Sequence, residues 1–206
     1  MTHGDNSGLV LPPRIAPVQA VVLPIAAHKP GVTEKAEELV AMLKAAGLRV
    51  KGDFSDNSPG WKFAEWEMKG VPLRLELGPR DIEAGTCVAV RRDSGEKVSL
   101  ALAELETAVP ALLEDIQKGL FEKAKKNLEE HTYAAQTPAE VKDIIENRGG
   151  GFVKTMWCGD EACELKMKDL AGVSSRCIPF EQEHLGDVCP VCGKPAKTMI
   201  IWGVAY

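Results

Sequence analysis

Four cysteines near the end of the chain set the strictest constraint on how it can fold. Cys158 and Cys163 enclose four residues, Cys189 and Cys192 enclose two, and 25 residues separate the pairs. Each pair sits on a short turn-prone segment, with Gly159-Asp160 inside the first and Pro190-Val191 inside the second. Two such segments brought face to face close a tetrahedron of sulfurs, the arrangement of structural zinc sites. Zinc favours soft, deprotonated ligands, and four thiolates leave no position open for water or substrate. The spacing therefore predicts a structural Zn2+ site made by Cys158, Cys163, Cys189 and Cys192, in a terminal domain whose folding is linked to the metal. Core packing is expected of Cys177, which has no partner at such spacing, and of Cys87, which lies in a strand-like run. Among the histidines only His184 is placed to replace a ligand, and a surface position is expected for it. Five of the six cysteines cluster in this way, which reads as reduced thiols on metal and not as a secreted disulfide framework.

The 206 residues, 45% hydrophobic and 27% charged, suffice for one to two domains with a real core. No apolar run approaches the roughly 20 residues of a membrane span, and the first residues lack the pattern of a secretory leader. A cytoplasmic protein is expected. A formal charge of −5 gives no overall basic footprint for nucleic acid. Unpaired RNA bases, however, are read through splayed edges and stacking, for which a local patch suffices. Arg74, Arg80, Arg91, Arg92 and Lys97 supply such a patch.

Along the chain, residues 1–17 read as a turn and an extended piece, followed by a nearly continuous apolar run from Val18 to Ile25, as in a buried parallel strand. Ala36, Leu39, Val40, Leu43 and Ala46 recur at helical spacing from about Glu34, and Gly47 suits a left-handed cap. Leu48 to Phe54 reads as a strand. Ser58-Pro59 is a helix start for a segment carrying Trp61, Phe63 and Trp66, with core packing expected of both tryptophans. Val71 to Leu77 alternates, and Thr86 to Arg92 pairs with a short strand through Leu100 across the turn at Asp93-Ser94-Gly95. This order predicts an α/β domain with a mixed five-stranded sheet flanked by helices. A long charged helix follows to about His131, with Pro110 near its first turn, and Thr137-Pro138-Ala139-Glu140 is a capping box opening another. A small α+β zinc-binding domain closes the chain.

Gly8-Leu9-Val10-Leu11-Pro12-Pro13-Arg14-Ile15-Ala16-Pro17, preceded by His3-Gly4-Asp5, resembles motif 3 of class II prolyl-tRNA synthetases. The block from Asp56-Asn57-Ser58-Pro59-Gly60-Trp61 through Glu67-Met68-Lys69-Gly70-Val71-Pro72-Leu73-Arg74 and Gly78-Pro79-Arg80-Asp81 resembles the anticodon-binding domain of the archaeal/eukaryotic-type branch. The four-cysteine domain and the terminal Ala205-Tyr206 resemble that branch's C-terminal extension. This resemblance implies residues 1–17 as the end of a catalytic domain, 18–130 as an anticodon-binding domain with a connecting helix, and 131–206 as a zinc-binding C-terminal domain.

By the same resemblance the parent is a homodimeric ligase that joins proline to tRNA(Pro) using ATP and Mg2+, with Arg14 binding ATP only in the intact enzyme. No catalytic residue is expected here, because the motifs that resemble the rest of the active site are absent from these 206 residues. The partner is the tRNA(Pro) anticodon stem-loop, whose last two anticodon bases are guanines, and the resemblance puts Glu67, Arg74, Arg80, Asp81 and Lys97 at the reading surface. Arg80 stands where some relatives carry lysine, which alters donor geometry. Two other readings are a free-standing, catalytically inert tRNA-binding or accessory protein and a zinc-thiol redox protein. Retained motif 3 residues argue against the first, and the lack of a short redox pair outside the metal pattern argues against the second.

Overall fold

In the computed structural model, which describes residues 3–205, the apolar run after Pro17 becomes strand β3 (Ala20–Pro24), buried at every position. Two minor strands precede it, β1 (Gly4–Asp5) and β2 (Gly8–Leu9), paired as a hairpin. The chain then alternates through α1 (Val32–Ala45), β4 (Val50–Gly52), α2 (Pro59–Met68), β5 (Leu73–Leu77), α3 (Pro79–Ala84), β6 (Thr86–Arg91), β7 (Lys97–Ala101) and α4 (Leu105–Glu130). The sheet runs β4-β3-β5-β6-β7. β3 pairs in parallel with β4 and β5, whereas β5 with β6 and β6 with β7 are antiparallel. Helical crossovers connect the parallel strands, and the tight turn with Gly95 at φ 73° reverses the last pair. This is the mixed five-stranded α/β architecture expected from the sequence.

Alternation along β5 decides what faces what. Leu73, Leu75 and Leu77 join Leu39 and Leu43 of α1 and Leu105 and Val109 of α4 in one core. The opposite face packs Val21 and Leu23 against Val71, Phe63 and Trp66, so α2 covers it. Arg74 and Glu76 share that second face, half-buried. Ser58 caps α2 by accepting from the Trp61 N–H, as its sequence predicts.

Three features differ from expectation. α1 starts at Val32 after a left-handed Gly31 and spans 14 residues, about four turns. The short α3 was not anticipated, since six residues carry no periodicity; Pro79 at its first position and the Asp81 carboxylate, accepting from the Gly78 N–H at 2.8 Å, set it up. Pro110 is the sixth residue of α4, where it removes a bond to the Glu106 carbonyl, and a 3-10 turn (Leu102–Glu104) takes the place predicted for the helix start.

The chain divides into two compact units, residues 1–122 and 123–206, within α4. From residue 121 to 130 every position of that helix is exposed. The second unit contains β8 (Thr132–Ala134), α5 (Pro138–Asn147), β9 (Phe152–Trp157), α6 (Glu161–Ala171), β10 (Ser174–Cys177) and β11 (Thr198–Gly203). Its sheet runs β10-β11-β9-β8, with only β8 and β9 parallel. Val141, Ile144, Met167, Val153, Ile200 and Trp202 form its core. Trp202 Nε1–H donates to Thr155 Oγ1 at 2.9 Å, which satisfies both buried polar groups. Thr137 accepts from the Glu140 N–H at 3.2 Å, but the Glu140 carboxylate accepts from Gln136 N–H, so the capping box closes one residue earlier than predicted. Among the described residues no helix is long and apolar enough to cross a membrane. Tyr206 lies outside the described residues.

Candidate nucleic-acid interface and metal centre

β9 delivers Cys158 at its end, and Asp160 then caps α6 by accepting from the Ala162 N–H at 3.0 Å. The cap turns the chain so that Cys163, in the first turn of α6, comes back beside Cys158. The first pair is therefore a strand end and a helix turn, not a simple loop. The second pair is a tight turn: Cys189 N–H donates to the Lys194 carbonyl at 2.8 Å, and Gly193, at φ 72°, donates back to Cys189 at 2.9 Å. All four Sγ atoms lie within 4.8 Å of one another, and Cys158 Sγ is 3.7 Å from both Cys163 and Cys192. None is disulfide-bonded.

Four sulfurs at 2.3 Å from a tetrahedral zinc are about 3.8 Å apart. Two of the sulfur separations match this spacing and the widest lies within about 1 Å of it, so the four cysteines can hold a metal with small side-chain adjustments. Burial pushes the thiols of Cys158 and Cys163 up. The Lys194 backbone N–H, helped by neighbouring thiols, draws Cys192 down to about 7. His184 is exposed, with Nε2 3.3 Å from Asp187, and stands outside the cluster. Cys87 is buried, which raises its thiol to about 11. Cys177 is exposed on β10, contrary to the packing expected of it. The strand is at the edge of its sheet, a position the cysteine spacing could not reveal.

In the first unit, a pocket of about 410 Å³ opens beside α2 and the β6–β7 turn, lined among others by Asp5, Trp66, Glu67, Arg74, Arg92 and Lys97. Of the residues assigned by resemblance, it gathers Glu67, Arg74 and Lys97. Arg80 and Asp81 are not among its lining; they stand in α3, beyond the other end of β5. Arg74 is held in place, its guanidinium carbon 4.2 Å from the centre of the Phe63 ring and its Nε donating to Glu76 at 2.9 Å. Among the described residues its two terminal nitrogens make no hydrogen bond, and the Glu67 carboxylate makes neither a hydrogen bond nor a close ion pair, although its charge acts on the nearby Arg92. Trp66 lines the pocket and donates its indole N–H to Asp53 at 2.7 Å. Trp61 is 51% exposed, not packed in the core as expected.

The basic patch is smaller than its sequence suggests. Arg91 binds Asp93 with Nε and Nη2 and reaches Asp115 with Nη1, and Arg92 binds Asp5 with both terminal nitrogens. These acids hold both guanidinium groups above their ordinary pKa, through hydrogen bonds first. Neither arginine is a free phosphate contact, whereas Arg80 and Lys97 are exposed with no ion pair among the described residues. Asp93 follows Arg91 by two residues, so that pair was discoverable from spacing; Asp5 is 87 residues from Arg92 and gave no signal. Arg14 is exposed and bonded to Glu114 at 2.8 Å, with its N–H on Gln117.

Residues 19–112 match the family profile described as anticodon binding domain, and residues 138–206 match that described as prolyl-tRNA synthetase, C-terminal. Proteins named proline-tRNA ligase resemble the whole chain: 56% identity for that of Lachnospira eligens, 57% for Clostridium novyi and 55% for Clostridium botulinum, each over 206 residues. The chain belongs to the prolyl-tRNA synthetase family. It carries the anticodon-binding and C-terminal domains and spans 43% of the length of these relatives. A free-standing accessory protein is not favoured. The five-stranded unit is thus the anticodon-binding domain of this family, and the unit holding the four cysteines is its C-terminal domain.

Proposed function

We propose that the anticodon-binding domain reads the two guanines of the tRNA(Pro) anticodon, within a homodimeric cytoplasmic ligase that joins proline to that tRNA with ATP and Mg2+. One observation carries this reading: in an anticodon-binding domain, an unpartnered carboxylate and an oriented guanidinium meet in one pocket. The Watson–Crick edge of guanine presents two donors beside the O6 acceptor. Glu67 accepts from the donors, and a terminal nitrogen of Arg74 donates to O6. Phe63 and Glu76 fix the plane of Arg74 before RNA arrives, which lowers the ordering cost of binding. Lys97 supplies flanking positive charge at the pocket, while Arg80 and Asp81, beyond the other end of β5, meet the RNA outside it, Asp81 through the carboxylate oxygen that the Gly78 N–H leaves free.

Zinc is the metal we assign to Cys158, Cys163, Cys189 and Cys192, because thiolates alone with no open position suit a structural ion. Arg14 belongs to the ATP side of the intact enzyme by family resemblance alone, and would have to leave Glu114 to serve there. Titration of the chain with the tRNA(Pro) anticodon stem-loop, and with one whose two guanines are changed, tests base reading. A base-edge contact is worth roughly 1–3 kcal/mol, so the native loop should bind about five- to a hundredfold more tightly. Equal affinities would contradict the reading.

A further inference from the structure

The β1–β2 hairpin lies against the end of α2 where Glu67 stands. A Cβ on Gly8 would come within 2.5 Å of Met68 Cα, and one on Gly70 within 2.5 Å of Leu9 Cβ, so the hairpin and the end of α2 pack too closely for a side chain at either glycine. Leu11 N–H donates to the Gly70 carbonyl at 3.3 Å. Asp5 then grips Arg92 with both oxygens, Oδ1 2.6 Å from Nη2 and Oδ2 2.8 Å from Nη1. The remaining edge of that guanidinium, Nε–H, donates to the backbone carbonyl of Glu67 at 3.0 Å.

Glu67 is the penultimate residue of α2, where helices fray and carbonyls lack intrahelical partners. Its carbonyl accepts from Gly70 N–H at 2.9 Å and from Arg92, a cation placed where the helix dipole favours one. Resting on the guanine-reading role proposed above, we infer that residues 3–9 form part of the base-reading site, with Asp5 and Arg92 as positioning residues that hold Glu67 in register with its base. Hydrogen bonds from Arg92 and from Ser7 N–H keep the Asp5 carboxyl well below the usual carboxylate range, so the pair stays charged at neutral pH.

Asp5→Asn isolates this role. The amide oxygen still accepts from Ser7 N–H, which keeps the local turn, but the anionic grip on Arg92 is lost. Dissociation constants for the native and guanine-changed stem-loops at one salt concentration, in wild type, Asp5→Asn, Arg92→Lys, Glu67→Gln and Asp5→Asn with Glu67→Gln, read it out. Asp5→Asn and Arg92→Lys should each lower the preference for the native loop roughly two- to tenfold, part of what one base contact provides. Asp5→Asn should add nothing to Glu67→Gln, because it acts through that residue. A merely structural role would weaken both RNAs alike or add its effect in the Glu67→Gln background, and either result overturns the inference. A wild-type preference that survives Asp5→Asn overturns it alone; a wild type with no preference overturns the base-reading function as well.

Discussion

Asp53 shows how single residues hold α2 in place. Its side chain is 8% exposed and accepts from Ser55 Oγ–H at 2.6 Å, Ser55 N–H at 3.1 Å and Trp66 Nε1–H at 2.7 Å. Lys62 Nζ, itself buried, donates to the Asp53 carbonyl at 3.0 Å and stands 3.8 Å from its carboxylate. Burial alone would raise the carboxyl pKa, but the bonds from Ser55 and Trp66, with the Lys62 charge, outweigh it and hold Asp53 below its ordinary value. The unfolded chain therefore takes up a proton at Asp53 before the folded one does. Its contribution to stability is complete above the ordinary value of 3.8 and is lost as pH falls through the lowered folded value. Urea titrations over the acid range should show Asp53→Asn flattening the loss of stability, and an unchanged acid limb would argue against this role. Asp53→Ala, which leaves the Trp66 indole N–H unpaired and the buried Lys62 charge without its counter-ion while keeping its bond to the backbone carbonyl, should cost about 3–5 kcal/mol at neutral pH.

At the level of elements, the contact of the hairpin with α2 depends on a glycine that meets backbone. Gly70 and Gly47 both have positive φ, 70° and 86°, but a Cβ on Gly47 would meet nothing within 4 Å. Gly47→Ala should cost about 1–2 kcal/mol of left-handed strain, whereas Gly70→Ala adds overpacking against Leu9 of about 1–3 kcal/mol more. Thermal melts of the two variants compare them directly, and equal losses would show that the hairpin yields freely. The strands and α2 were legible because their signals are local: continuous apolar residues in β3, alternation in β5, Ser58-Pro59 before α2. The cysteine set was legible for the same reason. What stayed hidden depends on distant pairing or on position in a sheet. Arg92 looked like a free cation because Asp5 is remote in sequence, whereas the pairing of Arg91 with Asp93 two residues on could have been read from spacing; Cys177 looked like a core residue because nothing nearby shows that β10 is an edge. α3 was too short to carry a period, and the grouping of Glu67 with Lys97 depends on how β6 and β7 fold back beside α2.

Over the whole molecule, the two units should respond differently to loss of metal. The four-cysteine cluster joins β9, α6 and the Cys189–Cys192 turn around a small buried group that includes Met156 and Met199. Metal binding at a four-thiolate set contributes directly to folding, so under the proposed assignment the purified chain should contain about one zinc per molecule. Chelation, or Cys189→Ser, should make residues 123–206 protease-sensitive while residues 1–122 stay protected. Cys177→Ser, at an exposed site, should change stability by no more than about 0.5 kcal/mol. A chain without zinc whose second unit ignores chelator would remove the metal assignment. The anticodon-binding domain is tested most directly by one ratio, the affinity for the native tRNA(Pro) stem-loop over that for the guanine-changed loop, measured at fixed salt in wild type and Arg74→Ala. Phosphate contacts fix the position of an RNA without naming its bases, whereas the proposed role of Arg74 is to name one. The wild-type ratio should lie well above one and fall most of the way towards one in Arg74→Ala; a ratio of one in wild type, or one that Arg74→Ala leaves unchanged, would contradict guanine reading by this pocket.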